Sequence, residues 1–319
     1  GFFVFFLPFG MMSLKASALT WLVFGCALFL LSAWMLIKTA KRKLEIIDIF
    51  SVMFLFFSFW PAREQIHDGQ PNFFLLFFIS SAFLCFRYKK LFLAGFILGA
   101  GVQIRDYLLP IGLFFLLRKD WKPALGFLSG YISLKAIAIS LFGWQPEISY
   151  WNYMFDLFGR QQHSTISNLS FVSLFLRVGK GGLPLLVLII LGGAVGMAFL
   201  LSIIRLNKTK EGRLAGVCGF IAFCLIVSPW VHESHYVIIL PAIILSWFSL
   251  SERAKNIDYA LFIAAYILLG FRYSVNNFPA FQSGILGLLS AGKIAGLLIL
   301  IVLIVRLNSE IKTRAVAPS

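Results

Sequence analysis

Charge is scarce in this sequence. Only 13% of its 319 residues are Asp, Glu, Lys or Arg, about half the roughly 25% of a soluble domain. A chain this apolar cannot cover its own surface in water, so a water-soluble globule is excluded and lipid must be the main solvent. Cysteine is scarce too. Cys26, Cys85, Cys218 and Cys224 all lie in apolar stretches and none has a CxxC spacing, which argues against a disulfide framework or a thiolate metal site. No Gly-rich phosphate loop, nucleophile elbow or kinase signature is present, so nucleotide-driven chemistry has no support. No cleavable signal peptide is evident. Acidic residues number 13 against 28 Lys and Arg, a net charge of +15. In a soluble chain that excess would suggest nucleic acid. In a membrane chain it marks cytoplasmic loops, and no nucleic-acid partner is expected.

Hydrophobic residues make up 60% of the chain, Phe alone contributes 36, and the mean hydropathy is +0.90. Apolar segments fall near 17–38, 46–60, 71–86, 91–104, 107–117, 122–142, 183–204, 213–230, 235–250, 257–273 and 283–305. The pattern predicts an all-α, polytopic transmembrane bundle of about eleven spans plus interfacial helices, forming a single integral membrane domain over 1–319. Phe2 to Met12 is too short to cross a core of about 30 Å and reads as interfacial or re-entrant.

Basic clusters follow alternate segments: Lys38 with Lys41, Arg42 and Lys43; Arg87 with Lys89 and Lys90; Arg118 with Lys119 and Lys122. The pattern resumes at Arg205, Lys208, Lys210 and Arg213, then Arg253 and Lys255, then Arg306, Lys312 and Arg314. The positive-inside rule makes that side cytoplasmic. Lys135 and Lys293 lie inside spans. By this parity the chain starts outside, and since it opens on Gly1 the N-terminus of the parent protein is expected to be missing. One continuous helix through 91–117 would put its two flanking basic clusters on opposite faces. A shallow hairpin turning at Arg105-Asp106 keeps them together, with the charged pair lining a water-filled cavity.

With this topology the histidines, His67, His163, His232 and His235, all fall outside. So do Glu64, Asp68, Asp106, Glu147, Asp156 and Glu233. Insertion explains basic residues inside but not histidines outside, so an outward-facing site is the economical reading. Trp144, Tyr150, Trp151 and Tyr153 could stack on sugar rings, although an interfacial aromatic belt gives the same pattern. Arg105-Asp106 could equally be a structural ion pair. His232 and His235 are not at HExxH spacing, and hydrogen-bond donation to a phosphate or sugar suits them better than metal binding.

These elements, in this order, resemble glycosyltransferase family 87, polyprenol-phosphate-mannose-dependent mannosyltransferases of the GT-C fold. The pieces that carry the resemblance are Gly69-Gln70-Pro71-Asn72-Phe73, Phe92-Leu-Ala-Gly95 followed by Gly99, and Phe142-Gly-Trp144 with Tyr150 and Trp151. Asn168-Leu-Ser170 with Arg177 follows, then Ser228-Pro229 with His235-Tyr236 and Pro241. Where the family often has Lys-Pro after the Gly95-type helix, this chain has Arg105-Asp106. The family's catalytic Asp lies in a first external loop that would precede residue 1, so the chain is expected to lack that base.

The resemblance implies a polyprenyl-phosphate sugar donor, a glycan or glycolipid acceptor and no cofactor. It implies transfer of a hexose, mannose by expectation, on the outer face of a bacterial plasma (inner) membrane. A carboxylate takes the acceptor's proton, and Arg and His donors steady the departing lipid phosphate. The candidate catalytic residues are His235 and Asp68. The candidate substrate-binding residues are Gln70, Asn72, Arg105, Asp106, Trp144, Arg160, Asn168, His232, Glu233 and Tyr236; no metal ligand is expected. The alternatives are a transporter or flippase of a lipid-linked or anionic substrate, or a lipid-linked oligosaccharide polymerase or ligase.

Overall fold

The structure is a computed structural model and describes residues 3–40, 45–159, 168–179, 185–206, 209–253, 255–272 and 285–316. It is all-α. Among the described residues fifteen α-helices follow one another: α1 Phe3–Gly10, α2 Leu14–Ala40, α3 Ile46–Phe57, α4 Trp60–His67, α5 Asn72–Arg87, α6 Leu91–Gly101, α7 Pro110–Leu117, α8 Trp121–Phe142, α9 Gln145–Gly159, α10 Phe171–Gly179, α11 Leu185–Ile204, α12 Lys210–Val227, α13 Leu240–Arg253, α14 Asn256–Gly270 and α15 Gly292–Val316. Every apolar segment of the sequence carries one of them. Among the described residues, three helical runs are long and apolar enough to cross a membrane: α2, α8, and Glu233–Leu250, where a 3-10 turn leads into α13. The pair α3 and α4, bent by 57°, would make a fourth if it is one span.

The chain divides into two compact units. One comprises residues 1–53 with 63–161, the other 54–62 with 162–319.

In the first unit, the packing of α6 on α8 fixes the course of the chain. A Cβ on Gly95 would meet the Pro123 carbonyl oxygen at 2.1 Å, and one on Gly99 the Phe127 oxygen at 2.0 Å. In return, Gly126 approaches the Phe92 oxygen and Gly130 the Phe96 oxygen, each at 2.0 Å. Four steps along α6 therefore match four steps along α8 in the same direction, so the two helices run parallel. Small residues at this spacing let backbones approach closely in membranes. Parallel neighbours require the chain between them to return to its starting level. The return is α7, whose Gly112 faces the Phe127 ring.

The turn of this hairpin is built at Arg105. After α6 a 3-10 turn, Val102–Ile104, tightens the helix, and Arg105 then adopts an extended backbone with φ −147° and ψ 97°. A second 3-10 turn, Asp106–Leu108, leads to Pro110 at the first position of α7, where its missing N–H costs nothing. Gln103 Nε2 donates to the Tyr131 carbonyl at 3.1 Å. That contact sets the turn about 15 Å along α8 at 1.5 Å per residue, roughly midway along a helix able to span. Gly143, with φ 74°, ends α8 in the left-handed region that glycine adopts most readily.

In the second unit, α15 packs against α12, α13 and α14. The segment 54–62 belongs here as well. The Tyr266 hydroxyl donates to the Leu55 carbonyl at 2.9 Å and lies 2.7 Å from Ser58 Oγ. Leu174, Val178 and Ile294 form a small apolar cluster between α10 and α15.

Candidate functional site

Each unit carries its own cluster of polar side chains. In the first unit it forms where the start of α5 meets the hairpin turn. Asn72, fully buried at the N-terminus of α5, donates from Nδ2 to Gln65 Oε1 at 2.8 Å. Its Oδ1 accepts from Arg105 Nε at 3.0 Å, and Arg105 Nη2 donates to Gln70 Oε1 at 2.6 Å. The guanidinium is thus cradled by two neutral amide oxygens, a fork geometry that Arg alone offers.

Asp106, the next residue, turns to other partners. Its carboxylate accepts the Tyr150 hydroxyl, with Lys135 nearby, while Oδ1 is buried with no hydrogen-bond partner among the described residues. Burial and the neighbouring Asp106 charge push the Tyr150 phenol up, so it stays protonated and donates. Arg105 and Asp106 consequently do not form the structural ion pair that their adjacency allows. Lys135 instead pairs with Glu147 at the start of α9. Burial raises the Glu147 carboxyl, while the Lys135 hydrogen bond and charge are among the causes that bring it below its ordinary value.

Asp68 lies at the end of α4, with its Oδ1 3.0 Å from His67 Nδ1 and a side chain 40% exposed. Glu64, His67 and Asp68 bring ligand atoms within 4.8 Å of one another, yet their exposure gives a metal little reason to stay there in preference to water. Trp144 stands exposed just before α9. Gln65, Gly69, Gln70, Phe73 and Phe74 line, with Trp21, a small open groove. Trp21 Nε1 closes one side by donating to the Gly69 carbonyl at 2.9 Å, and Trp21 stacks on Phe74 at 4.6 Å. Arg160 and His163 lie outside the described residues.

The second cluster forms around the break between α12 and α13. Ser228-Pro229 ends α12, and the chain runs extended to His232 before the 3-10 turn Glu233–Ile239 begins. Asn168 pins this stretch. Its Nδ2 donates to the Pro229 carbonyl at 2.9 Å, and its Oδ1 accepts from the Val231 and Ser170 backbone N–H groups at 3.0 and 3.1 Å. The Leu169 N–H donates to the Val231 carbonyl at 2.7 Å, and the Tyr236 hydroxyl to the Leu169 carbonyl at 3.3 Å. Asn168 and Tyr236 thereby position the segment that carries the histidines.

Trp230 Nε1–H donates to His232 Nε2 at 2.6 Å, and the His232 side chain also accepts the His235 backbone N–H. The His232 backbone N–H donates to His235 Nδ1 at 3.4 Å, so a neutral His235 carries its proton on Nε2. The rings stand edge to face at 5.8 Å, and His235 is 3% exposed. Glu233 Oε1 forms an ion pair with Lys293 Nζ at 2.5 Å. That buried ammonium also donates to the Leu269 and Phe271 carbonyls, at 2.5 and 2.8 Å, and lies 5.6 Å from the Tyr236 ring centroid.

Sequence reasoning proposed Glu147 and Glu233 as outer carboxylates and missed that each answers a lysine inside a helix. The signal was available, because a lysine within a span requires a partner. The Gly95, Gly99, Gly126 and Gly130 packing was also legible as two small-xxx-small pairs and went unread.

An apolar chain that is helical and without strands among the described residues is an integral membrane protein. More narrowly, it belongs to glycosyltransferase family 87, whose family model matches residues 1–229. The match stops just before His232. A curated relative is 25% identical over 213 residues, covering 66% of this chain and 48% of its own length. That relative is the polyprenol-phosphate-mannose-dependent alpha-(1-2)-phosphatidylinositol mannoside mannosyltransferase of Mycobacterium tuberculosis. The chain spans about half the length of this curated relative. No solved structure matches the chain.

Proposed function

We propose that this glycosyltransferase moves a hexose, mannose in the first instance, from a polyprenyl-phosphate donor to a hydroxyl of a glycan or glycolipid acceptor. The site opens on the outer face of a bacterial plasma membrane. The observation that carries the reading is His235: a buried imidazole whose Nδ1 accepts the His232 backbone N–H, held at the start of a 3-10 turn inside an apolar unit. An imidazole N–H can donate to a phosphate or sugar oxygen, more strongly when the ring is protonated. His232, fixed by Trp230, stands beside it.

In the reaction the acceptor oxygen forms a bond to the anomeric carbon while the bond from that carbon to the phosphate oxygen breaks. The acceptor's proton passes to a carboxylate, and the lipid phosphate leaves with the electron pair. Asp68 remains a candidate from the sequence for that carboxylate, should the base lie within these residues. Gln70, Asn72, Arg105, Asp106 and Trp144 supply donors, acceptors and an aromatic face for a sugar substrate. Arg160 remains a candidate from the sequence. The activated donor supplies the driving force, and the mechanism calls for no nucleotide.

His235→Ala in the intact protein tests the reading. Loss of a transition-state donor costs on the order of 10²-fold in rate, about 2.7 kcal/mol. A normally folded variant with undiminished turnover would refute the role.

A further inference from the structure

Ser173 and Arg177 share one face of α10, Ser170 just before the helix accepts the Ser173 N–H at 3.1 Å, and all three are buried, Arg177 to 3% exposure. Arg177 Nε donates to the Ser173 carbonyl at 3.3 Å. This bond folds the side chain back along the helix toward Ser170, whose hydroxyl donates to the Pro229 carbonyl at 3.1 Å. The guanidinium therefore lies toward the end of α10 that is pinned to the His232 and His235 segment.

Arg177 has no ion pair among the described residues, and its Nη1 is buried without a hydrogen-bond partner. Two carboxylates of the same unit are committed elsewhere, Glu233 to Lys293 at 2.5 Å and Asp258 to Arg306 at 2.9 Å. A guanidinium cannot shed its proton to relieve burial. An uncompensated charge inside an apolar protein is strongly unfavourable, so a buried cation of this kind calls for an anion. The Lys135 and Lys293 ammonium groups show the usual solution, a carboxylate from the chain itself. Arg177 departs from it.

Resting on the function proposed above, we propose that Arg177 is the counter-cation for a lipid-borne phosphate, that of the polyprenyl-linked donor. Its Nη1 donates to a phosphate oxygen before transfer, and the same contact holds the monoester that remains once the sugar has gone. The planar fork suits phosphate oxygens better than a point charge would.

The test uses the intact protein in nanodiscs of phosphatidylcholine, with undecaprenyl phosphate, undecaprenol and phosphatidylglycerol as probes. Affinity and thermal stability are measured for wild type, Arg177→Gln and Arg177→Lys. Wild type should bind undecaprenyl phosphate at least about tenfold more tightly than undecaprenol, a difference of about 1.4 kcal/mol. Arg177→Gln should abolish that preference, and Arg177→Lys should retain part of it. Without ligand, Arg177→Gln should melt no lower than wild type, because an unpaired buried charge has been removed. A retained preference in Arg177→Gln would overturn the assignment. An Arg177-dependent preference for phosphatidylglycerol over undecaprenyl phosphate would also overturn it, assigning the residue to a bulk headgroup. If Arg177→Gln does not fold, a preference undiminished in Arg177→Lys contradicts the fork and a reduced one supports it. Phosphate binding that depends on Arg177, in a wild type that transfers no hexose, would refute the proposed function and leave this site standing. Transfer with binding indifferent to Arg177 would do the reverse.

Discussion

Arg105 donates to Gln70 across 2.6 Å and to Asn72 across 3.0 Å, so both of its side-chain partners are neutral amides. The cradle keeps the full positive charge of the guanidinium while fixing its plane. Lysine preserves the charge but cannot reach both amides with one fork. Arg105→Lys should lower transfer kcat/KM by about tenfold, or about 1.4 kcal/mol, with little change in melting temperature. Steady-state kinetics beside a thermal melt check this. A variant with wild-type kinetics would remove Arg105 from the substrate cluster.

The parallel contact of α6 and α8 should tolerate no added side chain. At Gly99 and Gly126 a Cβ would sit 2.0 Å from a backbone carbonyl oxygen of the facing helix, and backbone does not yield as a flexible side chain would. Gly99→Leu and Gly126→Leu should each destabilise by about 1–3 kcal/mol or more. Melting in detergent would show it as a lowered transition. Leucine at exposed Gly10, which has open space around its Cβ position, is the control and should change little.

Lys293 and Glu233 should behave as a buried pair. Removing one partner strands the other, at a cost of about 3–5 kcal/mol, whereas replacing both with apolar residues can be close to neutral. Glu233→Met should therefore melt well below wild type, and Glu233→Met combined with Lys293→Met should recover most of the loss. If the single variant is as stable as the double, Glu233 is not held by Lys293 in the folded protein.

The two ends of α8 should lie on opposite faces of the membrane, with Lys122 inside and Gln145 outside. The motive is the alternation of basic clusters along the chain. A cysteine at Gln145 should react with an impermeant maleimide on intact cells, and one at Lys122 only after permeabilisation. The opposite pattern would invert the topology.

The sequence carried the helices well, because apolarity over whole segments is a strong signal and every segment became a helix. The hairpin at Arg105-Asp106 was also legible, since two basic clusters on one side left the chain no other course. Side-chain partnerships were not. Nothing in one sequence says that Arg105 turns to Gln70 and Asn72 while Asp106 turns to Tyr150, because those contacts bridge residues 33 to 44 apart in a helical packing that hydropathy does not encode. Asn168 shows the same limit. Its residue type suggested a substrate contact, whereas its amide is engaged by three backbone groups around Pro229 and Val231.

The most direct test of the account is a transfer assay with the intact protein in lipid. Polyprenyl-phosphate mannose and polyprenyl-phosphate glucose, each labelled in the sugar, are offered beside GDP-mannose, with a glycolipid acceptor. The account predicts label in the acceptor from a polyprenyl-phosphate donor, mannose ahead of glucose, with release of polyprenyl phosphate and no transfer from the nucleotide sugar. Transfer from GDP-mannose alone, with neither polyprenyl donor consumed, would contradict it.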